Sequence, residues 1–265
     1  MKKIFVEELI RAVRNPRFWL ALLVSLGFLT YGVMTAFYSQ WVPRGFSYAD
    51  LWYFVYVASY FPFVLPLIAA FPFADSLVVD QAEGYMRYLV VRTHYRYYLL
   101  AKYLANTLVA ALVIVIPLLG LCLFSILAAP QNSFPINVWQ PNISGRPYGL
   151  LMPFFQAHPA GFIWAIMLLA AVVGALYSNL GLSVSLLFPN RYLAWGIPIA
   201  VYLLADFVAN HTRFFGPDWS PIHAVAGSAA AANENIQSFF LNPLGVLAII
   251  LLLVFFFGKR KRIMQ

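Results

Sequence analysis

The sequence predicts an all-α integral membrane protein with six transmembrane helices. Three observations carry this: apolar runs long enough to cross a bilayer, a scarcity of charge, and aromatic residues gathered at the ends of those runs. The chain has 265 residues, of which 63% are hydrophobic and 10% charged. Its mean hydropathy is +0.79, whereas soluble domains carry about 25% charged residues. Aromatic residues make up 18%, and the amphipathic rings of Trp and Tyr suit the headgroup region.

A transmembrane helix needs about 20 consecutive apolar residues. The runs that meet this are Phe18–Tyr38, Tyr53–Phe73, Leu104–Ala128, Gly161–Phe188, Tyr192–Ala209 and Phe240–Gly258. They form a single membrane domain over 1–265, with external segments at 129–160 and 210–239. The first run is too long for the h-region of a signal peptide and is expected to stay as a helix.

Six spans put both termini on one side, and the basic residues say which. Lys2, Lys3, Arg11, Arg14, Arg17, Arg87, Arg92, Arg96, Lys102, Arg191, Lys259, Arg260, Lys261 and Arg262 share one face, against Arg44, Arg146 and Arg213 on the other. Basic residues accumulate in cytoplasmic loops, so both ends are expected in the cytoplasm. The net charge of +8 then records orientation and contact with anionic lipid, not a nucleic-acid surface. The lone Cys122 lies in an apolar run, forms no internal disulfide and reads as filler.

Pro62, Pro66 and Pro72 in the second span and Pro198 in the fifth predict kinks, because the ring removes a backbone hydrogen bond. Pro130 to Pro159 holds six prolines and reads as an external cap. Asn210 to Ser238, with Ala229 to Ala232 inside it, is expected to lie outside and partly to re-enter as short helices. No internal repeat is visible.

Two features sit on the cytoplasmic side. Residues 1–17 precede the first span, and Lys3 to Asn15 wind as an amphipathic helix. Phe5, Val6, Leu9, Ile10, Ala12 and Val13 share one arc, and Lys3, Glu7, Glu8, Arg11 and Arg14 the other. Such a helix lies flat on the inner membrane surface. Between spans two and three runs Asp75-Ser-Leu-Val-Val-Asp-Gln-Ala-Glu-Gly-Tyr-Met-Arg87, which puts Ser76, Asp80, Glu83 and Arg87 on one stripe. Glu83 and Arg87 are spaced as an i,i+4 pair. Gly84 permits a break before the basic, aromatic stretch Arg92 to Lys102. The segment reads as a protruding hairpin able to touch another protein, where the plainer alternative is a solvated loop.

These residues resemble the permease subunits of type-2 ATP-binding-cassette (ABC) transporters. The shared pattern is the N-terminal helix with Glu8-Leu-Ile-Arg11 and then Arg14-Asn-Pro-Arg-Phe-Trp19. It continues after the second span with Asp80, Glu83-Gly84, Tyr88-Leu89 and Tyr98-Leu-Leu-Ala-Lys102-Tyr103. The resemblance implies that Asp75 to Arg87 is a coupling helix seated in a cleft of a separate ATPase, braced by the N-terminal helix. It assigns the coupling to Asp80, Glu83, Gly84, Arg87, Glu8 and Arg11. It implies cytoplasmic ABC ATPase subunits that hold ATP and Mg, a second permease, identical or related, and export across a cell membrane, expected to be bacterial. The segment between spans three and four is longer than the family pattern, and the fifth span is shorter.

No Gly-x-x-x-x-Gly-Lys-Ser/Thr occurs, and Gly258-Lys259 is followed by Arg260, so this chain is expected to hydrolyse no ATP and to need no cofactor of its own. An intramembrane hydrolase fits poorly: Gly181-Leu-Ser183-Val lacks the following Gly, and His94, His158, His211 and His223 all lie outside the spans. Glu7-Glu8 has a partial likeness to the paired glutamates of membrane CAAX-processing proteases, but the spacing to Arg11 is wrong. His211, Asp218 and His223 are irregularly spaced for a metal site.

Polar residues within the spans are Asn106, Thr107, Asn179, Ser183, Ser185 and Asp206. Asp206 is taken as the sole acid near a span interior, and ionisable groups there are costly. Asn106, Asn179, Ser183 and Asp206 are candidates for a substrate route with apolar walls from spans two and five, suited to an amphipathic or lipid-like cargo. An ATPase-independent scaffold or sensor is the second reading, and an intramembrane enzyme the third.

Overall fold

The computed structural model describes residues 2–38, 47–85, 94–129, 152–211, 220–226 and a few positions between 245 and 252. Its elements are all helices: α1 (Lys2–Arg14), α2 (Pro16–Tyr38), α3 (Tyr48–Ala58), α4 (Phe61–Ala70), α5 (Ser76–Ala82), α6 (Tyr95–Ala128), α7 (Met152–Ala157), α8 (Pro159–Leu187), α9 (Arg191–His211) and α10 (Pro221–Ala226). Four of them, α2, α6, α8 and α9, are long and apolar enough to cross a membrane, or five spans if the bent pair α3 and α4 counts as one. The predicted sixth span lies mostly outside the described residues, as do Arg87 and most of the proline-rich segment.

α6 is the axis of the molecule. It starts nine residues before the predicted third span and its 34 residues extend about 51 Å, against about 30 Å of hydrocarbon. Its first turns therefore stand clear of the apolar zone, at the end of the bundle that also holds α1 and α5. This is called the charged end below. α8 packs along α6, with α4 and α9 against α8. Gly181 permits one close crossing, since a Cβ there would stand 2.3 Å from the Ala194 carbonyl oxygen of α9.

The second span is not a continuous kinked helix. α3 and α4 meet at a bend of 68°, where Tyr60 takes a left-handed φ of 55°. Ser59 Oγ donates to the Tyr56 carbonyl at 2.7 Å and accepts from Phe61 N at 3.3 Å, covering backbone groups that the break would orphan. Pro62 then occupies the first turn of α4, where its missing N–H costs nothing. Ser47 and Asp50 open α3 with a reciprocal capping box, and α3 is buried from Ala49 to Tyr56. Protein therefore surrounds that stretch, and α3 is open only at its ends, where Val57 is exposed. In α4 and α9 the helix runs through Pro66 and Pro198.

Within the segment expected to re-enter, the short helix α10 packs into the bundle. Its Pro221, Ala224, Val225 and Ala226 are buried. Tyr56 Oη donates to the Val225 carbonyl at 3.0 Å, and Tyr202 Oη to the carbonyls of Pro62 and Pro221 at 2.8 and 3.4 Å. Asp206 accepts a short hydrogen bond from Ser220 Oγ, and that oxygen also caps His223 N at 3.1 Å. α10 is thus tied to α3, α4 and α9 by side chains that satisfy its own termini.

Candidate functional site

The charged end joins three segments far apart in sequence. In α1 the buried side carries Ala12 and, against the predicted arcs, Glu8, while Val6 and Ile10 are exposed. Sequence periodicity assigned Glu8 to water because a carboxylate is polar. In the structure it faces Lys102 of α6. α1 accordingly has three faces: one against α6, one apolar and open, and one carrying Glu7 and Arg14.

α5 supplies Asp80. The helix is seven residues long and ends where Gly84 adopts φ 71°, a conformation that glycine takes without strain. The predicted break at Gly84 is therefore present. The predicted orientation of Asp80 is not, because its side chain is fully buried. It meets Arg11 Nη1 at 2.5 Å and Lys102 Nζ at 2.6 Å and accepts a short hydrogen bond from Tyr98 Oη. Asp80 therefore grips the inside of this chain, whereas Glu83 is 61% exposed and 3.8 Å from Arg11 Nη2.

Lys102, which the sequence placed in the basic stretch and in the Tyr98–Tyr103 pattern without a role of its own, is the centre of the group. It is fully buried on α6, 3.1 Å from Glu8 Oε2 in an ionic contact without hydrogen-bond geometry, and over the rings of Phe73 and Tyr98. Glu8, Arg11, Asp80 and Lys102 carry two charges of each sign, so the cluster is neutral. That balance is what makes its burial tolerable, since an unpaired buried charge would cost several kcal/mol. Burial alone would lower the Arg11 pKa; the facing Asp80, helped by Glu8 and Glu83, outweighs it and raises the value. Arg11 also covers the Tyr85 ring at 5.3 Å.

A second clamp lies beside the first. Arg17, at the start of α2, meets Asp75 at 2.6 Å and sits 5.1 Å over the Trp195 ring of α9. Asp75 is buried at the entrance to α5. Asp75 and Asp80 are therefore both engaged by arginines of the N-terminal region. The signal for Lys102 was its spacing: Tyr98, Lys102 and Asn106 follow each other by four on the buried stripe of α6.

The structure brings together Asn106, Asn179 and Ser183, but as a closed seam between α6 and α8. Asn106 Nδ2 donates to Asn179 Oδ1 at 2.9 Å, Ser178 Oγ to Asn106 Oδ1 at 3.0 Å and Asn179 Nδ2 to Thr107 Oγ1 at 2.8 Å. Tyr103 Oη and Ser183 Oγ are 2.8 Å apart. These groups satisfy one another, as interhelical polar groups do in an apolar medium. Asp206 stands apart at the far end, where it anchors Ser220 and accepts from Asn210 Nδ2 at 3.1 Å. It is not the sole acid within the fold, because Asp50 is fully buried at the start of α3. Asp218 lies outside the described residues, and among the described residues no group of three His, Cys, Asp or Glu is arranged to hold a metal.

Fold and site together define an all-helical protein with four or five apolar helices compatible with multiple membrane passes, carrying a buried, charge-balanced clamp at one end. Comparison of the chain with protein-family models, with curated proteins and with solved structures finds no match in any of the three.

Proposed function

We propose that the chain is the permease subunit of an ATP-driven ABC exporter, with the charged end in the cytoplasm and α5 as the coupling helix. The observation that supports this best is the double clamp: Asp80 to Arg11 and Lys102, and Asp75 to Arg17. A short helix that must transmit force cannot swing freely, and these pairs fix α5 to α1, α2 and the long α6. Exposed Glu83 and half-buried Gly84 form its tip, at the edge of the clamp where Glu83 stands 3.8 Å from Arg11 Nη2. In this reading Glu83 touches the ATPase, Asp80, Glu8 and Arg11 hold the coupling helix in place, and ATP and Mg stay on the partner.

The fully paired α6–α8 seam leaves the cargo route to the less buried helices α2 and α9 and to a neighbouring permease. Movement of the coupling helix would pass along α6, the element that reaches from the charged end to the far end. The test separates contact from scaffold. Glu83→Arg should lower recovery of the ATPase with the tagged chain about tenfold while leaving the amount of folded chain unchanged. Unaltered recovery would remove the coupling role of this tip.

A further inference from the structure

The clamp uses the inward side of α1 and leaves its outward side open. Glu7, Ile10 and Arg14 stand at i, i+3 and i+7, which puts them on one stripe of the helix, and all three are exposed. With Arg11 and Asn15 they line an open cleft of about 530 Å³. The neighbouring arginines are engaged within the chain, Arg11 by Asp80 and Arg17 by Asp75. Glu7 and Arg14 form no ion pair among the described residues.

The position of this cleft says what meets it. α1 passes into the apolar helix α2 with only Asn15 between them, and Asn15 Oδ1 accepts from Arg17 N at 3.1 Å to close that corner. Trp19, one turn into α2, is 57% exposed, and an outward indole belongs at the headgroup level of a bilayer. The cleft therefore faces headgroups, while exposed Ile10 and Val6 offer a surface to the first carbons of an acyl chain. Its charges select among headgroups. Arg11 is balanced by Asp80, which leaves Arg14 and Glu7 as one charge of each sign: a dipole without net charge. A phosphate diester fits the end where Arg11 and Arg14 are three residues apart, since a guanidinium carries five donors and Arg11 keeps some beyond those turned to Asp80 and Glu83. A primary ammonium fits Glu7 at the other end. A headgroup with a phosphate and no cation would leave Glu7 unanswered, and a trimethylated ammonium has no N–H to donate to it.

We propose that this cleft binds the headgroup of a zwitterionic aminophospholipid, its phosphate on Arg14 and Arg11 and its ammonium on Glu7. The site rests on the membrane reading of the fold and not on an ATPase partner, so it is tested on the full chain alone. The chain is placed in nanodiscs holding equal shares of phosphatidylethanolamine, phosphatidylcholine and phosphatidylglycerol and released into mild detergent, and the lipids it keeps are counted by native mass spectrometry. Phosphatidylethanolamine should be kept about threefold over each of the other two, the effect of one exposed ion pair. Glu7→Ala should abolish its excess over phosphatidylcholine, Glu7→Asp should retain that excess, and Arg14→Ala should lower the total phospholipid kept. None of the three should move the heating midpoint, because both side chains are exposed. Equal retention of phosphatidylethanolamine and phosphatidylcholine by the parent chain, or an excess that survives Glu7→Ala, would overturn the proposal. Retention of phosphatidylglycerol above phosphatidylethanolamine would also overturn it, by marking a plain basic surface.

Discussion

Asp80 makes three contacts at once, to Arg11, Lys102 and Tyr98, and its loss takes the nearest partner from buried Lys102 and from half-exposed Arg11. Removing one partner of a buried pair costs about 3–5 kcal/mol, so Asp80→Ala and Lys102→Ala should each lower the heating midpoint of the detergent-solubilised chain strongly. Asp80→Leu with Lys102→Met should cost less than the two single changes added, because Glu8 and Arg11 remain as a balanced pair. Glu83→Ala, on an exposed side chain, should stay within about 0.5 kcal/mol of the parent. The raised Arg11 pKa keeps that contribution full below the ordinary arginine range and loses it only above, so it does not titrate near neutral pH. The residues of this cluster were legible in the sequence as charge in a charge-poor chain. Their direction was not: seven residues of α5 make fewer than two turns, too few for periodicity to tell inside from outside. Glu8 was sent to the wrong face because hydropathy ignores a buried countercharge.

At the scale of elements, helix contact in this fold depends on where side chains are absent. Gly181→Val would drive a branched side chain into the Ala194 carbonyl and should destabilise the α8–α9 crossing by about 1–3 kcal/mol. Gly120→Ala, with open space around it, should be neutral or stabilising by up to about 1 kcal/mol; the heating midpoints of the two variants decide this. At the far end, Asp206→Ala should loosen α10 by removing the acceptor of Ser220. Maleimide labelling of His223→Cys in a Cys122→Ser background should then quicken severalfold, and an unchanged rate would show that the tyrosine bonds alone hold the helix. The long apolar helices were readable because their length and composition exceed anything a soluble core needs. The break between α3 and α4 was not, since Ser59 and Pro62 mark a kink and a break alike, and the 68° bend is set by packing against Gly32 and by the left-handed Tyr60.

For the whole molecule, the distribution of polar groups divides labour between the ends. The charged end binds α1, α2, α5 and α6 through ion pairs and α9 through the Arg17–Trp195 contact, the α6–α8 seam closes on itself through amides and hydroxyls, and the far end holds α10 by backbone carbonyls and Asp206. A push at α5 would therefore move α1 and α6 with it, whereas α2 and α9, the least buried spans, are free to meet lipid or a second copy. The proposed function rests on the sequence pattern and the clamp together, and it stands or falls on a partner that hydrolyses ATP. The deciding measurement is a mild-detergent pull-down of the tagged chain from its native membrane, with the accompanying proteins identified and quantified by mass spectrometry. The account predicts a P-loop ATPase in near-equal amount, lost with Glu83→Arg. Recovery of the chain without any ATPase, across several detergents that keep it folded, would contradict it.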